Sequence, residues 1–147
     1  MRTVKRRHGS ERGSATIEAV IIVPALMVFA ALVLAAGRVT IAHQSVELAA
    51  AEAARSASLA RSPAEAQAQG AAAASAALDD RRLDCRSRSV LVDAANLSAP
   101  LGTAGQVTTR VVCVVDLSDV AVPGLPGTVT IDARAASPVD QYRERGR

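Results

Sequence analysis

The chain has 147 residues, of which 50% are hydrophobic, but 32 residues are alanine and the aromatic residues are one Phe and one Tyr. So little aromatic area excludes a large independent enzyme core and leaves no platform on which nucleic-acid bases could stack. The net charge of +3 is concentrated at the N-terminus, so it does not indicate a nucleic-acid partner.

The chain opens with a basic leader, residues 1–13, in which Glu11 is the single acid. From Ala19 to Gly37 no side chain is ionisable, and 17 of these 19 residues are Ala, Val, Ile, Leu, Met or Phe. A helix of this length spans roughly 28 Å, close to the thickness of a bilayer's hydrocarbon core. Residues 14–37 therefore predict a single membrane-spanning helix. The basic leader places the N-terminus in the cytoplasm and the rest of the chain outside the cytoplasmic membrane.

Two other interpretations of the apolar run stay open. A cleaved secretory signal peptide also has a basic start and an apolar centre, and Leu34-Ala35-Ala36 offers it a weak cleavage site. Against it, the run is long, contains Pro24 and begins beside Glu18. A buried core helix is disfavoured because the chain has few other large apolar residues to surround it.

Glu18 is the unusual residue of this region, because a carboxylate at the edge of an apolar helix is costly unless it is paired. The window reads Gly13-Ser14-Ala15-Thr16-Ile17-Glu18, and Pro24 lies six residues beyond the Glu. This pattern, behind a basic leader, resembles a type IV prepilin signal, and more closely the TadE-like minor pilins of the tight-adherence (Tad/Flp) pilus system. Ala19 and the long C-terminal part favour a minor pseudopilin over the main fibre subunit.

The resemblance implies a role for each matching residue. Gly13 matches the residue before the cut made by a prepilin peptidase, and Ser14 would become the new N-terminus. Glu18 would meet the α-amino group of a neighbouring subunit, and Pro24 belongs to the same assembly segment. The implied partners are the peptidase, other Tad pilins, the inner-membrane assembly platform and the lipid bilayer. Without the resemblance, Glu18 reads as an acid that complements the helix dipole, and Pro24 as a tolerated kink.

Residues 38–80 predict an Ala-rich helical region. Arg38–Ala60 lacks Gly and Pro, so the membrane helix is expected to continue through it, with a bend at Pro24. A seam of small residues at a spacing of three and four suits close packing; it consists of Val39, Ala42, Val46, Ala49 and Ala53. Ser62, Pro63 and Glu65 form a capping-box pattern that starts a second helix, expected to end near Leu78.

Residues 81–136 predict a small β-rich ectodomain. Three β-branched runs read as strands: 89–92, 106–115 and 128–133. Turn-rich links join them at 98–102 and 122–127. The expected fold is α+β and pilin-like, with Ala-rich helices lying on a three-stranded antiparallel sheet. Residues 137–147 are polar and are expected to form a flexible tail.

Cys85 and Cys113 are the only cysteines of the chain. Outside the cytoplasm such a pair favours a disulfide, with two unpaired thiols as the alternative. The bridge would tie the junction between helix and sheet to the middle strand.

Catalytic and cofactor motifs are missing from the sequence. There is no cluster of Cys and His with metal-ligand spacing, no Walker loop and no hydrolase triad, so we expect no enzyme activity, cofactor, metal or small-molecule substrate. The prediction is a minor pilin or pseudopilin of the cytoplasmic membrane that takes part in pilus assembly, either by entering the fibre or by only assisting its assembly. The alternatives are an uncleaved single-pass surface or assembly protein and, less favoured, a secreted protein released by signal peptidase.

Overall fold

The computed structural model describes residues 12–100, 102–118 and 127–140. The elements follow in the order α1 (Arg12–Ser58), α2 (Pro63–Asp80), β1 (Cys85–Asp93), a 3₁₀ turn (Ala95–Ser98), β2 (Gly105–Asp116) and β3 (Thr128–Val139). The predicted α+β class, with a long first helix and a three-stranded antiparallel sheet, is confirmed. The basic leader up to Glu11, the loop 119–126 and the tail from residue 141 lie outside the described residues.

The first helix is one uninterrupted element. It has 47 residues and includes Pro24 within it, which gives a length of about 70 Å at the usual rise per residue. Proline removes one helix hydrogen bond but is tolerated where the helix is otherwise well supported. The apolar segment and the Ala-rich segment are therefore two halves of a single helix, as the sequence predicts.

The second helix starts with the predicted cap. The Ser62 hydroxyl accepts a hydrogen bond from the Glu65 N–H at 3.2 Å, and Pro63 occupies the first turn. The Glu65 carboxylate accepts from the Arg61 N–H at 2.9 Å, so the returning bond reaches the residue before the cap. Together these bonds satisfy donors that a helix start leaves without partners. The helix then runs past its predicted end at Leu78 to Asp80.

The sheet has the strand order β1-β2-β3, with both pairings antiparallel. β1 begins at Cys85, earlier than the predicted start at Ser89. Residues 86–89, which follow the half-buried Cys85, are exposed and polar, so they carry no apolar alternation that would mark a strand.

The third strand corrects the predicted tail boundary. Ser137 lies opposite Val107 and Val139 opposite Gly105, so residues 137–139 belong to β3 and not to a tail. Val139 is buried in an apolar cluster with Leu97 and Val107, which holds the strand end in place. A single apolar residue among Ser, Pro and Asp was too weak a pattern to predict this extension.

The core between the helices and the sheet is built mainly from alanine. On α1, Ala42, Val46, Ala49 and Ala53 are buried as predicted, and the seam packs against α2 and the sheet. The approach is close: a Cβ placed on Gly70 of α2 would lie 2.9 Å from Val92 Cγ2, closer than such atoms approach. Glycine at this position allows α2 to lie directly on β1.

Two side chains add polar links to this thin core. The buried Thr109 hydroxyl on β2 donates to the Ala50 carbonyl of α1 at 2.7 Å. On β1, the Gln67 amide donates to the Val90 carbonyl at 3.2 Å and accepts from the Val92 N–H at 3.0 Å. Gln67 thus binds two backbone groups on the edge of β1 that faces away from β2.

Candidate functional site

The exposed half of α1, residues 18–34, is the dominant surface feature of the described chain. All its side chains are exposed except Ala31, which is half-buried, and the next residue after this half, Ala35, is buried. The exposed fraction reaches 70% for Met27 and 65% for Phe29. By length and composition, this is the one helix among the described residues apolar enough to cross a membrane. Large apolar side chains without protein neighbours fit a lipid environment.

Glu18 stands at the start of this exposed half. Helix α1 begins at Arg12 and has no acid in its first turn, so Glu18 lies beyond the turn in which the helix dipole acts most strongly. Its side chain is exposed, and none of the side chains that the structure describes forms an ion pair with it. The helix dipole alone therefore does not account for a carboxylate at this position.

The predicted processing and assembly residues lie along one helix. The Gly13–Ser14 peptide falls in the first turn of α1, followed by Glu18 and Pro24. Glycine lowers helix propensity, and helix ends open at little cost, so this turn can unwind into an extended segment. The structure thus brings Gly13, Ser14, Glu18 and Pro24 into one linear segment and keeps the two cysteines apart from it, in the sheet.

A line of exposed apolar side chains continues this surface along α1, toward the C-terminal side of Gly37. Leu34, Ile41 and Leu48 recur every seven residues and are 67%, 65% and 47% exposed. Three residues after each of them the same face carries Gly37, Gln44 and Ala51, all exposed. A coiled-coil seam has two apolar residues in each seven, so these three side chains form a single exposed apolar line along α1 and not a complete coiled-coil seam. This face was not predicted, because the sequence was searched only for the seam of small residues. The seven-residue spacing of the three large apolar residues would have indicated it.

The predicted disulfide is confirmed. Cys85 on β1 and Cys113 on the central strand β2 are joined, with an S–S distance of 2.05 Å and a Cα–Cα distance of 5.4 Å. Cys113 is fully buried, and a register shift between Cys85 and Ser87 accompanies the bridge. The bridge fixes the start of β1, where the chain leaves α2, to the middle of the sheet.

The open face of the sheet carries an exposed ion pair. Arg110 Nε donates to both carboxylate oxygens of Asp132 at 3.0 Å, and Arg110 Nη2 donates to Asp132 Oδ2. These hydrogen bonds, and then the charge of Arg110, hold the pKa of Asp132 below its ordinary value. The pair lies on the surface across two strands, where such pairs contribute modestly to stability.

Among the residues that the structure describes, no group of three His, Cys, Asp or Glu side chains lies close enough together to hold a metal ion. His43 is exposed on α1.

One comparison with known proteins gives a match. Residues 13–55 match the family model described as TadE-like protein, which is less than a third of the chain. The matched segment begins at Gly13 and covers the exposed half of α1 and most of its ectodomain half. Neither a curated protein nor a solved structure matches the chain.

Proposed function

We propose that the chain is a TadE-like minor pilin or pseudopilin that takes part in assembly of a Tad/Flp-type pilus, because residues 13–55 match the TadE-like family model and lie in a helix long and apolar enough to cross a membrane. The observation that carries the proposal is the division of α1. Its first half is apolar and exposed, while its second half is packed into the ectodomain, within a single unbroken helix. In such a chain the first half of α1 anchors the protein in the membrane, and the second half holds the ectodomain outside it. This is a structural role and not a catalytic one.

The proposal places the basic leader in the cytoplasm and the ectodomain on the other side of the membrane. The leader carries five Lys and Arg side chains before Ser14, and an excess of positive charge stays on the cytoplasmic side. The disulfide supports the same orientation, since such bonds persist outside the reducing cytoplasm.

Processing is proposed at the Gly13–Ser14 peptide by a prepilin peptidase. Gly13 has no side chain to obstruct a narrow cleft in which the chain lies extended. The cut would remove the basic leader and leave the α-amino group of Ser14 at the start of the apolar helix. Glu18 of a neighbouring subunit would then supply the opposite charge, which avoids the cost of an unpaired ion in an apolar contact.

Assembly would use the exposed face of α1. In a bundle with other Tad pilins, large side chains such as Met27 and Phe29 would find protein partners in place of lipid. Pro24 cannot donate a helix hydrogen bond, so the carbonyl of Val20 is left for a neighbouring group. Beyond the hydrocarbon core, Ile41 and Leu48 extend the same packing surface. The inner-membrane assembly platform is the proposed site where these contacts form.

N-terminal sequencing of the mature protein distinguishes this proposal from its alternatives. A start at Ser14 is expected. A start at Met1 would favour an uncleaved, single-pass surface or assembly protein, and a start near Gly37 would favour a secreted protein. Loss of the prepilin peptidase should restore the full-length chain, and unchanged mobility on a gel would contradict processing.

Replacing Glu18 by Gln tests the charge pairing. Gln keeps the size and hydrogen bonding of the side chain but removes its charge, so cleavage and insertion should persist while assembly fails. Breaking such a pair typically costs about 3–5 kcal/mol. Glu47→Gln is the matched control, since Glu47 is an exposed acid on the ectodomain half of the same helix. Piliation and co-purification with other pilins are the measurements, and normal pili with Glu18→Gln would exclude the pairing.

A further inference from the structure

A cleft of about 260 Å³ opens where α1 leaves its apolar segment. One wall is α1 from Arg38 to Ser45, the second is the turn 81–84 after α2, and the third is the end of β2 at 115–117. This end of the ectodomain is therefore the one nearest the exposed apolar half of α1. The opposite end holds the cluster around Leu97 and Val139.

The cleft combines positive charge with an apolar wall. Three arginines, Arg38, Arg81 and Arg82, face two aspartates, Asp84 and Asp116, which leaves one net positive charge. The apolar part of the lining comes from Ile41, Leu83 and Leu117.

Arg82 is the cation of this cleft that the described chain does not engage. Arg81 Nη1 donates to the Ala77 carbonyl at 3.0 Å, and Arg38 also has an interaction within the chain. Asp116 is engaged too, because it accepts from the Ser118 N–H at 2.8 Å and faces Arg86 Nε at 3.7 Å. Among the described residues, no hydrogen bond or ion pair is made by the Arg82 guanidinium. Its backbone adopts a left-handed φ of 51°, which non-glycine residues rarely adopt.

The lower part of the cleft lies at the height of lipid headgroups. If the apolar segment ends at Gly37, the helix rise places Arg38 about 1.5 Å, Ile41 about 6 Å and Ser45 about 12 Å beyond it. The headgroup layer on each side of a bilayer is about 5–7 Å thick, from the difference between the total and hydrocarbon thicknesses. The end of the cleft at Arg38 and Ile41 therefore falls within this layer, and the end at Ser45 lies beyond it.

We propose that this cleft binds the phosphate group of an anionic phospholipid in the leaflet on the ectodomain side, with Arg82 as its principal ligand. One phosphodiester carries a single negative charge and would balance the net charge of the cleft. Ile41 and Leu83 would contact the glycerol and acyl carbons of the same molecule. The inference rests on the membrane insertion included in the proposed function, but not on peptidase processing or on pilus assembly.

The test uses the full-length chain in neutral detergent micelles, with native mass spectrometry of retained lipid. Phosphatidylglycerol and phosphatidylcholine are added at equal concentration, since both carry a phosphate and only the first is anionic. We expect the phosphatidylglycerol complex to dominate. Arg82→Gln should weaken it about fivefold, from the usual contribution of one basic side chain near an anionic surface. Arg134→Gln is the matched control, because Arg134 is an exposed arginine on β3, outside the cleft.

A second variant separates charge from backbone conformation. Arg82→Gly removes the charge but favours the left-handed φ, so it should lose phosphatidylglycerol as Arg82→Gln does, whereas Arg82→Lys should keep most of it. Equal loss with Arg82→Gln and Arg134→Gln would overturn the proposal in favour of general electrostatic attraction. Competition by inorganic phosphate in place of lipid would show a site for a soluble anion and would also overturn it.

Vesicle flotation of the same protein separates the two levels of inference. A chain that floats with vesicles but shows no preference for phosphatidylglycerol refutes the lipid site and leaves the proposed function standing. A chain that does not float refutes both.

Discussion

The two halves of α1 distribute large and small side chains in opposite ways. In residues 18–34 the large residues Val, Ile, Leu, Met and Phe are exposed, whereas in the ectodomain half the buried positions are mostly alanine. A helix of a water-soluble protein would bury its large residues and expose polar ones. The inversion fits a first half that is surrounded by lipid or by other proteins, and a second half whose small side chains allow close approach.

This difference also separates the sources of stability. Alanine buries little area, so the contact between α1 and the sheet contributes less per residue than a core of Leu or Phe would. The ectodomain therefore depends on its disulfide and on tight geometry, while the apolar half depends on its surroundings. The same kind of substitution should therefore have opposite effects in the two halves of α1.

Removal of the disulfide should give the largest effect, and only in the ectodomain. The sequence separation of 28 between the cysteines predicts a loss of about 3–4 kcal/mol when Cys85 and Cys113 are both replaced by Ser. Urea unfolding in micelles measures the free energy, and vesicle flotation should show that the apolar half still inserts. An unchanged unfolding midpoint would mean that the alanine core is sufficient without the bridge.

A charge should be rejected by the first half of α1 and accepted by the second. Val28→Arg is expected to cost about 2.5–3.5 kcal/mol of insertion free energy, because it places a cation near the centre of the apolar segment. Gln44→Arg, on the exposed face of the ectodomain half, should leave insertion unchanged. Protease protection in inverted membrane vesicles measures both, and equal insertion of the two variants would contradict a membrane span at 19–37.

A larger apolar side chain should have the reverse effect. Ala53 is fully buried, and its carbonyl lies against Gly70, so Ala53→Leu should destabilise the ectodomain by about 1–3 kcal/mol through overpacking. The same change at Ala30, which is exposed, should be neutral for ectodomain stability and favour insertion. Urea titration of the two variants side by side gives the comparison. A tolerated Leu at position 53 would show that α1 can move away from α2.

Lowering the pH should produce the smallest change in stability, and the change should again be confined to the ectodomain. Because Arg110 lowers the pKa of Asp132, the folded state binds this proton less readily than the unfolded chain. The stabilisation is present at neutral pH and declines as the pH falls below about 4, through the lowered pKa. Thermal unfolding is measured at several pH values between neutral and acid. The unfolding temperature should fall less steeply with pH for Asp132→Asn than for the Asp80→Asn control. Added salt should reduce the difference, because the pair is exposed.

The sequence predicts most of the architecture because its strongest patterns are local. The uncharged run after Glu18, the cap at Ser62 and the paired cysteines each identify an element without reference to the rest of the chain. Strand ends were harder to predict, since Ser87 and Ser137 are polar residues whose strand conformation depends on pairing with β2.

The site features that we missed are those that depend on tertiary arrangement. The face through Ile41 and Leu48 becomes recognisable only when the opposite face of α1 is known to be buried. The cleft around Arg82 joins residues from α1, the turn after α2 and the end of β2, which are far apart in sequence. No periodicity relates such residues, so the sequence alone could not group them.

The two hydrogen bonds between Gln67 and β1 affect how copies of a membrane-anchored protein can contact each other. Neighbouring copies that share one orientation would present the edge of β1 to the sheets beside them, and an open strand edge invites pairing between chains. By occupying the Val90 carbonyl and the Val92 N–H, one glutamine of α2 competes with any incoming strand for those groups. Neighbouring copies would then contact each other through their helices, which can separate again. They would not join through a growing sheet, which does not separate easily.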